Sequence, residues 1–155
     1  MTSLGWSVVG LRAAAQERKR VRVSVVWAAT APESEPFHLV ERHSELKDLA
    51  DRFSKLRSRG QGHVEVRSPD ADFPTIALSF RDDHAVVHLM NDPERMSLLV
   101  GDGTVPPEGE VEVLVLDELA VFTGDFVLDT DRAWELVLAF TQTWAAGPLG
   151  EWWEL

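Results

Sequence analysis

Between His63 and Val100 the sequence repeats one pattern: a short run of β-branched, aromatic or alternating residues, then a turn signal. The runs are His63–Arg67, Phe73–Arg81, His84–Met90 and Met96–Val100, separated by Ser-Pro-Asp, Asp-Asp and Asn-Asp-Pro. Ile76, Leu78 and Phe80 share one face of their strand, and the link Arg81-Asp82-Asp83-His84 is short enough for a hairpin. Strands joined this closely pair antiparallel, so the middle of the chain reads as a β-meander.

The flanking sequence supplies what the meander needs to bury one face. Val21–Ala29 alternates, with Val21, Val23, Val25 and Trp27 on one side, and reads as a strand. Before it, Leu11–Arg20 reads as a short helix ending in Arg18, Lys19 and Arg20, or as a frayed arm. After a Pro-bearing loop, Ala31–Pro36, the spacing of Leu46, Leu49, Phe53 and Leu56 predicts a helix, with Ser44 placed to cap its start and Gly60 to end it. Beyond the loop Gly101–Gly109, Val111–Leu116 reads as a strand, and Ala120–Thr123 is expected to continue the sheet. Asp129-Thr130-Asp131 caps a second helix carrying Trp134, Val137, Leu138, Thr141 and Trp144, which Gly147-Pro148 stops before an edge strand within Gly150–Leu155. The expected fold is α+β: a mostly antiparallel sheet, a meander, with two main helices packed on it. At 155 residues it is one domain, with residues 1–20 read as an N-terminal extension.

Composition closes off several function classes. The absence of cysteine removes disulfides, thiolate zinc sites, cysteine nucleophiles and iron–sulfur clusters, and fits a reducing, cytoplasmic setting. No run reaches the roughly 18 apolar residues of a membrane span, so no membrane role is expected. A net charge of −11 argues against nucleic acid as a partner, because phosphate binding rests on Lys and Arg. The charge is also segregated. Residues 1–67 hold twelve Lys and Arg against eight Asp and Glu, whereas residues 68–155 hold three against eighteen, a field that would steer a basic protein partner.

Motifs for chemistry are incomplete. His43-Ser44-Glu45 and His63-Val64-Glu65 match half the zinc-deaminase motif, but no P-C-x-x-C follows to complete a zinc shell. His84 and His88 fall on one strand face about 13 Å apart, too far to share a metal. Gly101-Asp102-Gly103 lacks the third glycine of a dinucleotide loop, and no Gly-Lys-Ser or Gly-Lys-Thr exists. The acidic turns lack the order of a calcium loop. No catalytic residue, metal or cofactor is assigned. Of six tryptophans, Trp27, Trp134 and Trp144 fall on core stripes. Trp152 and Trp153 are adjacent in a strand, so they point to opposite faces and one must leave the core unless covered.

From Phe73 onward the chain resembles the bacterial immunity proteins that pair with deaminase toxins in polymorphic toxin systems. The resemblance is carried by Phe73–Phe80 followed by Asp83–Met90, by Val127-Leu128-Asp129 with its helix through Phe140, and by the ending Glu151-Trp152-Trp153-Glu154-Leu155. Glu45–Leu56 sits where that family places its first helix. The chain departs from the family in its longer N-terminal portion, Met1–Arg20, and in being one residue shorter at Gly147-Pro148. The resemblance implies a mostly β α+β domain that is not an enzyme and that neutralises a toxin by occluding its active site. On that reading Asp82, Asp83, Asp92, Glu94 and Asp102 are expected to meet Lys and Arg of the toxin's basic cleft, with Trp153 as an apolar anchor. The competing expectations are a small hydrolase using paired carboxylates, and a secretion-system accessory module that binds an apolar helix.

Overall fold

The computed structural model describes residues 23–31, 40–116 and 118–155; Leu11–Arg20, the start of the first expected strand and most of the Pro-bearing loop lie outside the described residues. Along the chain run β1 (Ser24–Ala29), β2 (Arg42–Glu45), α1 (Leu46–Arg59), β3 (Gln61–Arg67), β4 (Thr75–Arg81) and β5 (His84–Asp92). There follow β6 (Arg95–Leu99), β7 (Glu110–Val115), β8 (Glu118–Thr123), β9 (Leu128–Asp129), α2 (Thr130–Thr143) and β10 (Trp152–Glu154). Short 3-10 turns occupy Gly124–Phe126 and Gly147–Leu149.

The main sheet has the order β10-β6-β5-β4-β3-β1-β2, every pairing antiparallel, with β9 beside the first residues of β5. The fold is α+β, and its centre is the meander β3-β4-β5-β6 that the turn chemistry predicts. β2 is an addition to that expectation. Its four residues, Arg42-His43-Ser44-Glu45, are polar throughout and carry no alternation, yet they pair with Ser24–Trp27 of β1. Ser44 therefore does not cap α1. Glu45 holds that position without a side-chain bond, and Ser44 Oγ instead accepts from Trp27 Nε1 at 2.8 Å.

Both helices lie on one face. Leu49, Phe53 and Leu56 of α1 are buried in the same cluster as Ala133, Val137 and Phe140 of α2, against Trp27, Val64, Ile76, Leu78, Phe80 and Val87 of the sheet. Each such aliphatic or aromatic side chain contributes roughly 1.5–3 kcal/mol on burial. The rings of Phe53 and Trp134 stack between the helices, centroids 4.2 Å apart and 5° from parallel. Helix α1 ends where Gly60, at φ 92, turns left-handed and donates its N–H to Leu56 and Arg57 carbonyls, a conformation a side chain resists. Helix α2 starts as its sequence predicts, with the Asp129 carboxylate accepting from the N–H groups of Asp131 and Arg132.

The opposite face departs from expectation. Strand β8 does not continue the main sheet; β7 and β8 form a separate two-stranded ribbon folded over its second face. Buried Val113 of β7 packs with Val86, Leu98 and Val127, flanked by Val111, Val115, Phe122 and Phe126. The molecule is thus layered as helices, sheet and ribbon. β10 pairs only with β6 among the described residues, which leaves it at the edge.

Candidate functional site

Under the ribbon the sheet carries polar side chains where the helix face carries apolar ones. His63 and Glu65 of β3, Ser79 of β4 and His88 of β5 all point this way by the strict alternation of their strands. Ser79 Oγ lies 2.8 Å from His63 Nδ1, and His63 Nε2 lies 2.9 Å from Glu65 Oε2. The connectivity of Ser, His and Glu is that of a proton relay. Ser79 is 0% exposed, however, so no substrate reaches its hydroxyl, and the trio acts as a hydrogen-bonded polar core. Burial, reinforced by the nearby charge of His63 and opposed by that of Glu65, lowers the pKa of His88 to about 4, which keeps this imidazole neutral against the edge of Phe122.

The five carboxylates singled out by sequence are distributed over two ends of β5. Asp82 and Asp83 form its hairpin turn with β4, and Asp92 and Glu94 the turn to β6, about 26 Å away along the strand. The acidic loops therefore do not make one patch. Asp102 joins the Asp83 end: its carboxylate accepts from the N–H groups of Thr104 and Asp129, while Thr130 N–H donates to the Asp83 carbonyl. Partial burial of Asp102 opposes its ionisation, but these hydrogen bonds outweigh that cost and hold its pKa below the ordinary carboxylate value. Asp83 is taken up too, with Arg57 Nη2 at 2.7 Å and the same guanidinium reaching Asp131 at 3.4 Å. Asp92 closes its own turn, accepting from Glu94 and Arg95 N–H groups. Asp82 and Glu94 present exposed side chains.

Trp153 is where the sequence places it. Trp152 turns to the helix face, packs against the core and donates Nε1–H to the Ala146 carbonyl at 2.9 Å, while Trp153 emerges on the other face 61% exposed. It lines a groove of about 570 Å³ with Val100, Asp125, Phe126 and Glu151. Asp125 and Glu151, not among the expected site residues, are brought here by backbone: Gly101 N–H donates to the Asp125 carbonyl and Val100 N–H to that of Glu151. The loop before β7 closes tightly behind the groove, since a Cβ on Gly124 would collide with the carbonyl oxygens of Val105 and Pro106.

The other concavities have different chemistry. One of about 400 Å³, lined in part by Glu41, Glu65, Arg67 and Asp72, has Arg67 bridging Glu41 at 3.0 Å and Asp72 at 3.6 Å. One of about 450 Å³ beside β2 is basic, with Arg42, His43, Arg52 and Lys55 around Trp27, and the guanidiniums of Arg42 and Arg52 lie 5.4 and 5.3 Å from the indole. Cations thus gather, with Asp48 among them, in the pocket beside β2, and carboxylates in the groove beside β10. Among the described residues no three His, Asp or Glu side chains are grouped to hold a metal ion, and no helix is long and apolar enough to cross a membrane. In comparison with known proteins, the chain matches no family model and no curated protein.

Proposed function

We propose that this chain is a cytoplasmic bacterial immunity protein, a non-enzymatic binder that neutralises a cognate nucleic-acid deaminase toxin by occluding its active site. The observation that carries the reading is the groove at the β10 edge, where the carboxylates of Asp125 and Glu151 accompany the exposed Trp153. A toxin acting on nucleic acid lines its cleft with Lys and Arg to hold phosphates. Carboxylates on a rigid scaffold engage those same donors, and a half-exposed indole supplies the desolvated anchor that charge alone does not. The resemblance of Phe73–Leu155 to immunity proteins of deaminase toxins points the same way. The hydrolase reading gains little support: Ser79 is sealed, Arg67 already pairs with Glu41 and Asp72, and Glu65 is bonded to His63.

The test is titration against the purified C-terminal toxin domain encoded beside this chain's gene, reading binding and residual deamination together. The expected result is an equimolar complex with Kd of order nanomolar, deamination abolished, and affinity falling roughly ten-fold or more as salt rises. Absence of binding overturns the reading. Separate charge reversals, Asp82→Lys and Glu94→Lys, report which end of β5 faces the toxin, because these two exposed carboxylates lie at opposite ends. The first should slow association and the second should not.

A further inference from the structure

We infer that the partner joins this chain by adding an extended, basic segment to the outer edge of β10, placing a Lys or Arg side chain in the Trp153 groove. This rests on the immunity reading and specifies how the toxin is held.

The edge is set by its hydrogen bonds. Val100 N–H donates to the Glu151 carbonyl and Leu155 N–H to the Met96 carbonyl. In an antiparallel ladder the residues facing the neighbour alternate, so Glu151, Trp153 and Leu155 turn their backbone groups toward β6. The N–H and C=O groups of Trp152 and Glu154 therefore point outward, and among the described residues no strand meets them. Edge strands are commonly guarded by charge, Pro or a bulge; Trp152-Trp153-Glu154 has no Pro and no bulge, and its guards are its brevity and the Glu154 carboxylate, which a basic strand would neutralise. Strand addition would use the outward groups for affinity and the flanking side chains for selectivity.

Charge decides what kind of strand fits. On the face shared by Trp153, the groove presents the carboxylates of Asp125 and Glu151 beside two aromatic rings, Phe126 and Trp153. A Lys or Arg side chain satisfies both, its stem along the rings and its cation between the carboxylates, with the indole face adding cation–π attraction. Glu154, exposed on the other face, selects for a basic residue there as well. An acidic or purely apolar segment would leave these carboxylates unpaired.

Hydrogen exchange on the complex with the neighbouring toxin domain tests this, together with affinities of two variants. The Glu154 amide should exchange fast in the free chain and be slowed at least about ten-fold in the complex, whereas the inward Trp153 amide is protected in both. Glu154→Pro removes only an outward N–H, a substitution an edge strand tolerates, and should weaken binding about ten-fold with unchanged circular dichroism. Trp153→Ala should weaken it by a similar factor or more. A wild-type complex in which Glu154→Pro binds normally, or in which the Glu154 amide stays unprotected, overturns edge pairing while leaving immunity standing. A wild-type chain that does not bind the toxin overturns immunity and this inference with it. Self-association through the same edge, seen as a dimer that Glu154→Pro dissolves, also overturns it.

Discussion

The two faces of the main sheet are covered in different ways. On the helix side, Ile76, Leu78 and Phe80 of β4 meet Leu49, Phe53, Leu56, Val137 and Phe140 in a large apolar core, with buried Thr141 of α2 bonding a carbonyl of its own helix. On the ribbon side, four buried valines and leucines share the layer with His63, Ser79 and His88, which are buried as well. The first face has the greater apolar area and holds the fold. The second seals a polar network and leaves the β10 edge and its groove open. The exposed indole of Trp153 and the carboxylates of Asp125 and Glu151 therefore lie outside the main core.

This contrast is broken most directly by truncating its strong side. Leu78→Ala, at a position 0% exposed in the core beneath the helices, should cost about 2–5 kcal/mol in urea denaturation, because the surrounding packing collapses only partly into the cavity. Val113→Ala under the ribbon should cost less, about 1–3 kcal/mol. Equal losses would mean that the ribbon is as much the foundation as the helices.

Mild acid should weaken the ribbon face. The pKa of His88 in the folded chain, about 4, lies below its ordinary 6.5, mainly because burial penalises the imidazolium. Between those values the unfolded chain takes up the proton that the folded chain refuses, so stability rises with pH in that window. The contribution is complete above about pH 6.5, declines as the pH falls and is lost by about pH 4, and amounts to no more than about 3 kcal/mol. Denaturant midpoints measured from pH 7 to pH 4 should fall less steeply for His88→Gln than for the wild type. Identical slopes would remove His88 from the account.

Ser79→Ala sharpens the comparison from within the same layer. It deprives His63 Nδ1 of its buried partner, for an expected cost of about 1–3 kcal/mol. Neighbouring Ala77→Gly, on the same face of β4, tests backbone effects without removing a side-chain bond of the network and should leave the His63 ring resonances in place at fixed pH, whereas Ser79→Ala should displace them.

How much of this the sequence reveals depends on whether a feature is local. The α1 stripe, the Asp129 cap, the Gly60 terminus and the opposite facing of Trp152 and Trp153 are set by neighbours within a few residues, and all four are legible. The pairing of β10 with β6 joins residues over fifty positions apart, and the folding of β7–β8 over the second face joins it to β3, β4 and β5. The sequence marks Ala120–Thr123 as strand, within the observed Glu118–Thr123, but carries no information on which sheet receives it. β2 is invisible because its polar side chains follow no period. The candidate site fails in the same manner. Trp153 is legible from the two-residue repeat of a strand, whereas Asp125 and Glu151 reach it through backbone bonds of loops, and the five expected carboxylates separate because a nine-residue strand stands between two acidic turns.

The smallest expected effect concerns the joint between the faces. Arg57 on α1 donates to the Asp82 carbonyl at 2.8 Å and pairs with Asp83 and Asp131, tying the helix layer to the β4–β5 turn and to the start of α2. The guanidinium gains most from its hydrogen bond to Asp83, against a smaller cost of burial, so its pKa is raised and it stays charged. Asp83 and Asp131 are nonetheless mostly exposed, and water screens the attraction. Arg57→Gln should therefore cost under about 1 kcal/mol in denaturant unfolding, with much of that loss also produced in the wild type by high salt. A larger, salt-independent loss would show that the Asp82 carbonyl bond and not the ion pairs fastens the turn. In either case Arg57→Gln leaves Asp83 without its cation, so the same variant should associate faster with a basic partner at low salt if that corner is the surface it meets.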